Sequence, residues 1–467
     1  MQQDGASSME VGIAARSGRI GVRRQLTLAL FWFGISFVWG ALFEVTLPFI
    51  LVPEHPGPGN PTLVDPATKN TALSLMETGG LLIAMLVQPA AGAFSDHFRS
   101  RFGRRRPMLG AGALGAAASL GLVALSPFFL FLVAAYCLLQ FFMNIAQGAY
   151  QGLLPDTVPT EARGRASGWL GIATLSGNVV GVVAAGPLPT RVACFVIAGV
   201  VLATALFTVV GVSEPSSLRT AAAPERSRAL WRARIGPYFA EFARYPDFCW
   251  VVLSRFLIFT SLAGIQRFAA FYIDDQFRGH DTVFGLSLGS AQTATSVVLA
   301  VIVFVGILAA YPAVRLSDHV GRRAVLIGAA ALGAVSFLLL FVANSLTQVV
   351  LFAIPAALCF GGVASVDWAF MADLAPRSRA GKFLGFSNVA TAGAQAAAPT
   401  ILGPVIDIVN AHTAPASGAP GTGGYKVLFI TGAAFFLAGG LVLRRVRLQR
   451  VPEADEESPR STRLAVT

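Results

Sequence analysis

Twelve apolar runs, each long enough to cross about 30 Å of hydrocarbon, follow one another along this chain. They lie at 26–52, 71–94, 108–126, 128–154, 166–187, 192–212, 249–273, 287–311, 324–343, 348–371, 384–406 and 425–443. In hydrocarbon a backbone N–H or C=O has no water to bond, so a spanning segment must be a helix or part of a closed barrel. Runs of this length exceed the roughly ten residues of a barrel strand. The expected fold is therefore an all-α membrane protein with twelve transmembrane helices. Charge agrees: 13% of the 467 residues are charged and 55% hydrophobic, whereas water-soluble domains carry about 25% charged residues. The first run is far longer than the roughly 7–15 residues of a signal-peptide core, and is read as the first helix.

The net charge of +11 is carried almost wholly by arginine; the lysines are Lys69, Lys382 and Lys426. A basic balance can mark a nucleic-acid partner, but these cations sit in short clusters between apolar runs, with no soluble basic module, so none is expected. Arg99, Arg101 and Arg104–Arg106 follow helix 2, and Arg163 and Arg165 follow helix 4. Further cations lie between helices 6 and 7, Arg315, Arg322 and Arg323 follow helix 8, and Arg377, Arg379 and Lys382 follow helix 10. The alternate loops are nearly bare. The positive-inside rule then puts these loops and both termini in the cytoplasm. The domain reading is a cytoplasmic tail (1–25), a six-helix bundle (26–212), a central cytoplasmic loop (213–248) with an amphipathic surface helix at 231–248, a second six-helix bundle (249–443) and a cytoplasmic tail (444–467). Cys137, Cys194, Cys249 and Cys359 lack metal-ligand spacing and read as free buried thiols.

Two segments repeat. Ser95-Asp96-His97 leads to Gly103-Arg104-Arg105-Arg106, and Ser317-Asp318-His319 leads to Gly321-Arg322-Arg323. Leu154-Pro155-Asp156 runs on to Arg163-Gly164-Arg165, and Met371-Ala372-Asp373 to Arg379-Ala380-Gly381-Lys382. Both pairs fall at matching places in the two halves, as in transporters built from parallel six-helix repeats.

The motif Gly92-x-x-Ser95-Asp96 followed by Gly-Arg-Arg resembles the signature loop of the major facilitator superfamily. Its extended form through Pro107, with Gln147-Gly148 and Arg163-Gly164-Arg165-Ala166-Ser167-Gly168, is similar to the sucrose-transporter branch, which is related to the glycoside–pentoside–hexuronide:cation symporters. The resemblance implies a sugar or glycoside carrier of the sucrose or maltose kind, proton-coupled, that alternates access by rocking two bundles. The chain departs from the plant pattern at Gln140, where plant members carry a coupling aspartate, and at Gln151, where they carry an arginine. Neither functional residue transfers. Glu44 resembles the helix-1 glutamate of the animal relatives.

A charge within lipid costs at least about 2.5–3.5 kcal/mol, so each one needs a reason. Glu44 could exchange a proton as the cavity opens to either side, or make a structural hydrogen bond to a neighbouring helix. Asp367 of helix 10 could bind substrate, bind a proton, or pair with Arg255 of helix 7. Glu77 of helix 2 is set aside as too near the outer surface. Candidate substrate contacts are Glu44, Arg255, Gln266, Arg267 and Asp367, the amides Asn144, Gln147, Asn178, Asn388 and Gln395, which donate to and accept from hydroxyls, and the aromatic faces of Phe37, Trp39 and Trp368. The loop residues Asp96, Arg104, Arg105, Asp156, Arg163, Asp318, Arg322, Arg323, Asp373 and Arg379 are expected to form cytoplasmic ion-pair networks between the halves that hold an outward-open state. Gly110, Gly112, Gly115, Gly177 and Gly181 read as close-packing stripes.

No cofactor or metal is expected, and the partners are a sugar, a proton and lipid, with the chain acting as a monomer. The arginine-, alanine- and glycine-rich composition points to a bacterial cytoplasmic membrane. An uncoupled facilitator or an exporter of another small polar solute is the alternative. An intramembrane enzyme lacks a nucleophile–base pairing. The orientation has a direct check: a cysteine in place of Arg101 should react with a membrane-impermeant maleimide only after the cells are opened, and one in place of Ala414 in intact cells.

Overall fold

The computed structural model describes residues 22–57, 60–158, 163–212, 214, 216–218, 245–279, 282–375, 380–415 and 420–447. Most of the two expected tails and of the central loop, including 231–244 of the expected surface helix, lie outside the described residues, and Pro246–Phe248 belong to the start of the seventh spanning helix. Twelve helices are long and apolar enough to span. They are α1 (Val22–Leu51), α2 (Lys69–His97), α3 (Arg106–Ala124), α4 (Phe129–Thr157), α5 (Arg163–Ala185) and α6 (Thr190–Gly211), then α7 (Pro246–Phe277), α8 (Ala291–Val320), α9 (Arg322–Phe341), α10 (Leu346–Leu374), α11 (Ala380–Thr413) and α12 (Gly423–Leu443). A two-stranded hairpin, β1 (Thr282–Val283) and β2 (Leu286–Ser287), joins α7 to α8. The helices outrun the apolar runs: α8 extends to Val320 and α11 to Thr413, because polar side chains continue a helix once its end reaches water. Ser317-Asp318-His319 is thus the last turn of α8 and not a loop.

Five helix pairings organise the first six helices: α1 with α5 and α6, α2 with α4, and α3 with α4 and α6. The same five recur six helices later: α7 with α11 and α12, α8 with α10, and α9 with α10 and α12. The repeated motif also repeats its backbone. Gly103 and Gly321 have φ of +93° and +87°, a region that L side chains rarely adopt, and both turn the chain tightly into the following helix.

The two groups of six meet chiefly through α2 against α11 and α5 against α8. These contacts lie toward the end away from the arginine-rich loops, and many are completed helix ends. The first N–H groups of a helix lack partners within it. Asp407 of α11 supplies them for α2, accepting from Asn70 N at 3.3 Å and Thr71 N at 2.7 Å, and from the side chains of Asn70 and Thr71 at 2.8 and 2.6 Å. Glu54, after α1, does the same for α8 by accepting from Ala291 N at 3.0 Å. Gln292 of α8 donates to the carbonyls of Ala185 and Leu188 at the end of α5, at 2.7 and 2.9 Å. Lys69 and Asp275 form a buried ion pair of 2.6 Å across the same seam, with Tyr425 Oη donating to Asp275 at 2.7 Å.

At the arginine-rich end each ion pair among the described residues stays within one half. Arg105 is buried and ties α2, α3 and α4 together through Asp96, Ser95 and Asp156. Arg104 reaches Asp156 at 2.8 Å. Its counterpart Arg322 reaches Asp373 at 2.5 Å, and Arg323 donates to the carbonyls of Arg444 and Val446. Asp318 is exposed and belongs to none of these pairs among the described residues. Arg379 lies outside the described residues, as does the side chain of Arg163. In this conformation, with the seam closed at the opposite end, these motif side chains brace loops and helix ends inside each half. The trans cap is testable. Asp407→Ala should weaken the closure by about 2 kcal/mol, read as a lower melting temperature and faster maleimide labelling of a cysteine placed at buried Ser74, while Asp407→Asn, which keeps an acceptor, should do less.

Candidate functional site

The chain of α1 widens where the site begins. Residues Trp39–Thr46 form a π-helical stretch, with Leu47 N bonded to Leu42 O and the Thr46 hydroxyl donating to Ala41 O at 2.7 Å. Pro48 lacks an N–H, and in a regular α-helix its ring would collide with the carbonyl four residues earlier, that of Glu44. The wider turn relieves the collision. Such stretches are rare and are often found at functional sites. Against it, α5 approaches so closely that a Cβ on Gly40 would lie 2.7 Å from Asn178 O, and one on Gly181 2.5 Å from Phe37 O.

Glu44 sits in this widened turn, half-buried, and accepts from Asn178 Nδ2 of α5 at 3.3 Å. It lines a chamber whose other lining residues all belong to α7, α8, α9 and α10. Gln266 and Tyr272 of α7 add polar groups; the remaining wall is aliphatic and aromatic, from α7, α8, α9 and α10, including Leu262, Val298, Phe337 and Ala353. Such a wall does not suit a polyhydroxylated solute by itself, because hydroxyls buried without partners are costly. The polar groups at its edge therefore carry the chemistry.

Next to Glu44, Arg267 of α7 lies over the Phe43 ring at 5.1 Å and pairs with Glu77 of α2, Nε to Oε2 at 3.4 Å. Phe43 meets Tyr136 of α4 edge-on at 5.7 Å. Tyr136 Oη accepts from Gln140 Nε2 at 2.8 Å, and Asn144 Nδ2 donates to Gln140 Oε1 at 3.1 Å. Helices α1, α2, α4, α5 and α7 thus contribute to one polar belt around the chamber's edge.

A second cluster lies nearer the arginine-rich end. Arg255 and Asp367 form a buried ion pair, and Arg255 Nε donates to Thr391 Oγ1 of α11 at 2.7 Å. The guanidinium stacks between Phe259 and Trp368, at 5.2 and 5.1 Å from their ring centroids. Trp368, Asn388 and Gln395 are exposed beside or along this region of α10 and α11.

The sequence-derived residues therefore divide. Glu44, Asn178, Gln266 and Arg267 meet at the chamber; Arg255, Asp367 and Trp368 meet below it. Phe37 is 3% exposed, with its backbone against α5, and serves the core, not the chamber wall. Asn144 is buried behind Gln140, Trp39 stacks on Phe43 at 5.0 Å, and Gln147 is half-buried on α4. Glu77, Tyr136 and Gln140 were the residues that sequence reasoning did not place in the site. The available signal for Glu77 is its charge within an apolar run, and its place near the outer end of α2 does not reveal that α7 brings Arg267 beside it. Among the described residues no group of three or more His, Cys, Asp or Glu side chains could hold a metal ion.

Residues 67–450 match the MFS/sugar transport protein family. The chain belongs to that family. Its major facilitator fold is shared with a solved peptide transporter, POT, in complex with sulfate: TM-score 0.69, 13% identity, covering 93% of this chain and 98% of that one. Among sequences, an MFS-type transporter of Bacillus subtilis, YuxJ, is 26% identical over 318 residues, covering 66% of this chain and 74% of its own. A general alpha-glucoside permease of Schizosaccharomyces pombe is 30% identical over 142 residues, 27% of this chain. The chain spans about a quarter of that permease's length, 26%. This member of the MFS/sugar transport family is thus a multi-pass membrane protein built as transporters are.

Removing one member of a buried ion pair costs about 3–5 kcal/mol, while replacing both with apolar groups is often neutral. Arg255→Met and Asp367→Leu should each lower the melting temperature of the purified protein sharply, and the double variant should recover most of the loss.

Proposed function

We propose that this protein is a secondary active transporter of a sugar or glycoside, coupled to protons in symport, working by alternating access in a bacterial cytoplasmic membrane. The observation that carries the reading is Glu44. It is a carboxylate in a π-helical turn, lining the chamber against α7, α8, α9 and α10, and its bond to Asn178 is from a neutral amide. A carboxylate held this way can take or lose a proton without breaking an ion pair of its own. Asp367 is the second coupling residue proposed, but its charge is matched by Arg255, so Glu44 is the stronger of the two. Sugar hydroxyls would be read by Glu44, Asn178, Gln266 and Arg267, and from the other side by Arg255, Asp367, Trp368, Asn388 and Gln395. Family membership and the likeness to a glucoside permease support the substrate class.

With the arginine-rich face in the cytoplasm, the seam closed by Asp407 and Lys69 is the outer gate, and the conformation is inward-facing. The bundles 26–212 and 249–443 rock about the chamber, and the motif side chains Asp96, Arg104, Arg105, Asp156, Asp318, Arg322, Arg323 and Asp373 meet across the halves once the outer gate opens.

An uncoupled facilitator is the second reading. It is favoured by Gln140, a neutral amide engaged with Tyr136 and Asn144, at the place of the plant aspartate. Proteoliposomes separate the two. With a pH gradient, acid outside, radiolabelled sucrose or maltose should accumulate, and Glu44→Gln should lower accumulation about tenfold or more while lowering sugar exchange much less, because the amide still bonds hydroxyls. Equilibration without accumulation would favour the facilitator; accumulation retained in the variant would move coupling to Asp367.

A further inference from the structure

The pair Arg267–Glu77 combines two features: it bridges the two halves, as Lys69–Asp275 does, and it leaves a buried carboxylate oxygen unsatisfied, as Arg278–Asp274 does. Arg267 belongs to α7 and Glu77 to α2, so the pair bridges the two halves at the inner edge of the closed seam. The seam continues directly beside it, where Thr78 of α2 and Thr400 of α11 share a hydrogen bond of 2.6 Å. The ion pair rests on one long contact, 3.4 Å to Oε2. The other oxygen, Glu77 Oε1, is buried with no hydrogen-bond partner, and the side chain is 7% exposed. By contrast Arg255–Asp367 lies inside one half and moves as a unit.

Opening this end carries α7 away from α2, and Arg267 leaves with it. The groups that face Glu77 are then poor substitutes. Glu44 of α1 carries the same charge, Tyr136 of α4 is a neutral phenol already bonded to Gln140, and α11, which supplies Thr400 to the neighbouring Thr78, departs with the other half. An uncompensated buried carboxylate costs several kcal/mol. A proton removes that cost and also supplies the donor that the site lacks.

We propose that Glu77 is a proton-binding site of the outer gate: the gate opens only as a proton replaces Arg267 on the Glu77 carboxyl, and the proton leaves when the returning guanidinium takes its place. The proton enters from the outer side and, with the gate closed again, leaves toward the arginine-rich side. Glu77 carries one proton per cycle, separate from the proton exchanged at Glu44, and the carboxylate, guanidinium and proton balance at each stage. Of two conformations, the one that binds more protons gains as pH falls, so acid favours outer opening, by up to about tenfold per pH unit for a single group. The inference rests on the alternating-access reading but on no particular sugar.

The test needs no substrate. Spin labels at Ala67→Cys and Ala414→Cys, both exposed positions at the rim of the seam, are introduced in a background without Cys137, Cys194, Cys249 and Cys359. Distance distributions in lipid nanodiscs are then compared between about pH 8 and pH 5. The parent should gain a long-distance population in acid. Glu77→Gln, a mimic of the protonated form, should show that population at both pH values, with its pH dependence reduced at least fivefold, and Glu77→Asp should retain the dependence. A pH response of parental size in Glu77→Gln overturns the proposal, as does a parent whose distances ignore pH. Glu77→Gln that fails to melt cooperatively is replaced by Arg267→Gln, for which an open population at both pH values is again expected and a parental pH response again overturns. Intact pH-driven opening with no sugar flux would remove the substrate reading alone.

Discussion

A helix that ends within a membrane protein leaves backbone N–H and C=O groups without partners, and here those ends are completed across the two halves. Asp407 closes the start of α2, Glu54 the start of α8, and Gln292 the end of α5. The capping groups come in each case from the opposite six helices, so each half is finished by the other only when the seam is shut. This makes the seam strong, with charge-assisted bonds from rigid helix ends, and it makes it an all-or-none contact, because a cap displaced by an ångström or two bonds nothing. The braces at the arginine-rich end are built differently. Arg104, Arg105 and Arg322 hold loops and helices within their own half, so the halves can part there without breaking them.

The intramembrane charges sort by the same criterion. Arg255 and Asp367 are both on the second half, with Thr391, Phe259 and Trp368 completing the guanidinium's surroundings. Nothing about rocking two bundles would separate them. Arg267 pairs with Glu77 of the other half through one long contact and lies over the Phe43 ring beside Glu44, leaving Glu77 Oε1 without a partner. Charge in hydrocarbon is tolerated only when matched. A mismatch across a seam that moves therefore ties conformation to proton occupancy, whereas a matched pair within one body holds helices together.

Much of the fold was legible because the solvent is simple. Lipid demands helices of a minimum length, so the apolar runs gave number and order, and the recurrence of Gly103 and Gly321 in positive φ shows why the motif repeats its glycine. Helix ends were less legible, since α8 and α11 run on as helices past their apolar stretch. The site was legible in part. Glu44 stood out as a charge in an apolar run, but the widened turn that presents it depends on Pro48 acting against the regular helix. Tyr136 and Gln140 have no pattern that distinguishes them from helix–helix contacts until α1, α2 and α7 are brought beside α4.

The sequence by itself determined twelve spans, an arginine-rich face and two matching sets of motifs, because hydropathy, charge and repeat spacing are local properties that lipid and charge read one segment at a time. Only the tertiary structure decided which charges are neighbours: that Arg267 meets Glu77 and that Asp407 caps α2. Those pairings join residues 190 and 337 positions apart, and for α2 and α11 they depend on a close approach at Gly403, where a Cβ would lie 2.7 Å from Asn70 O.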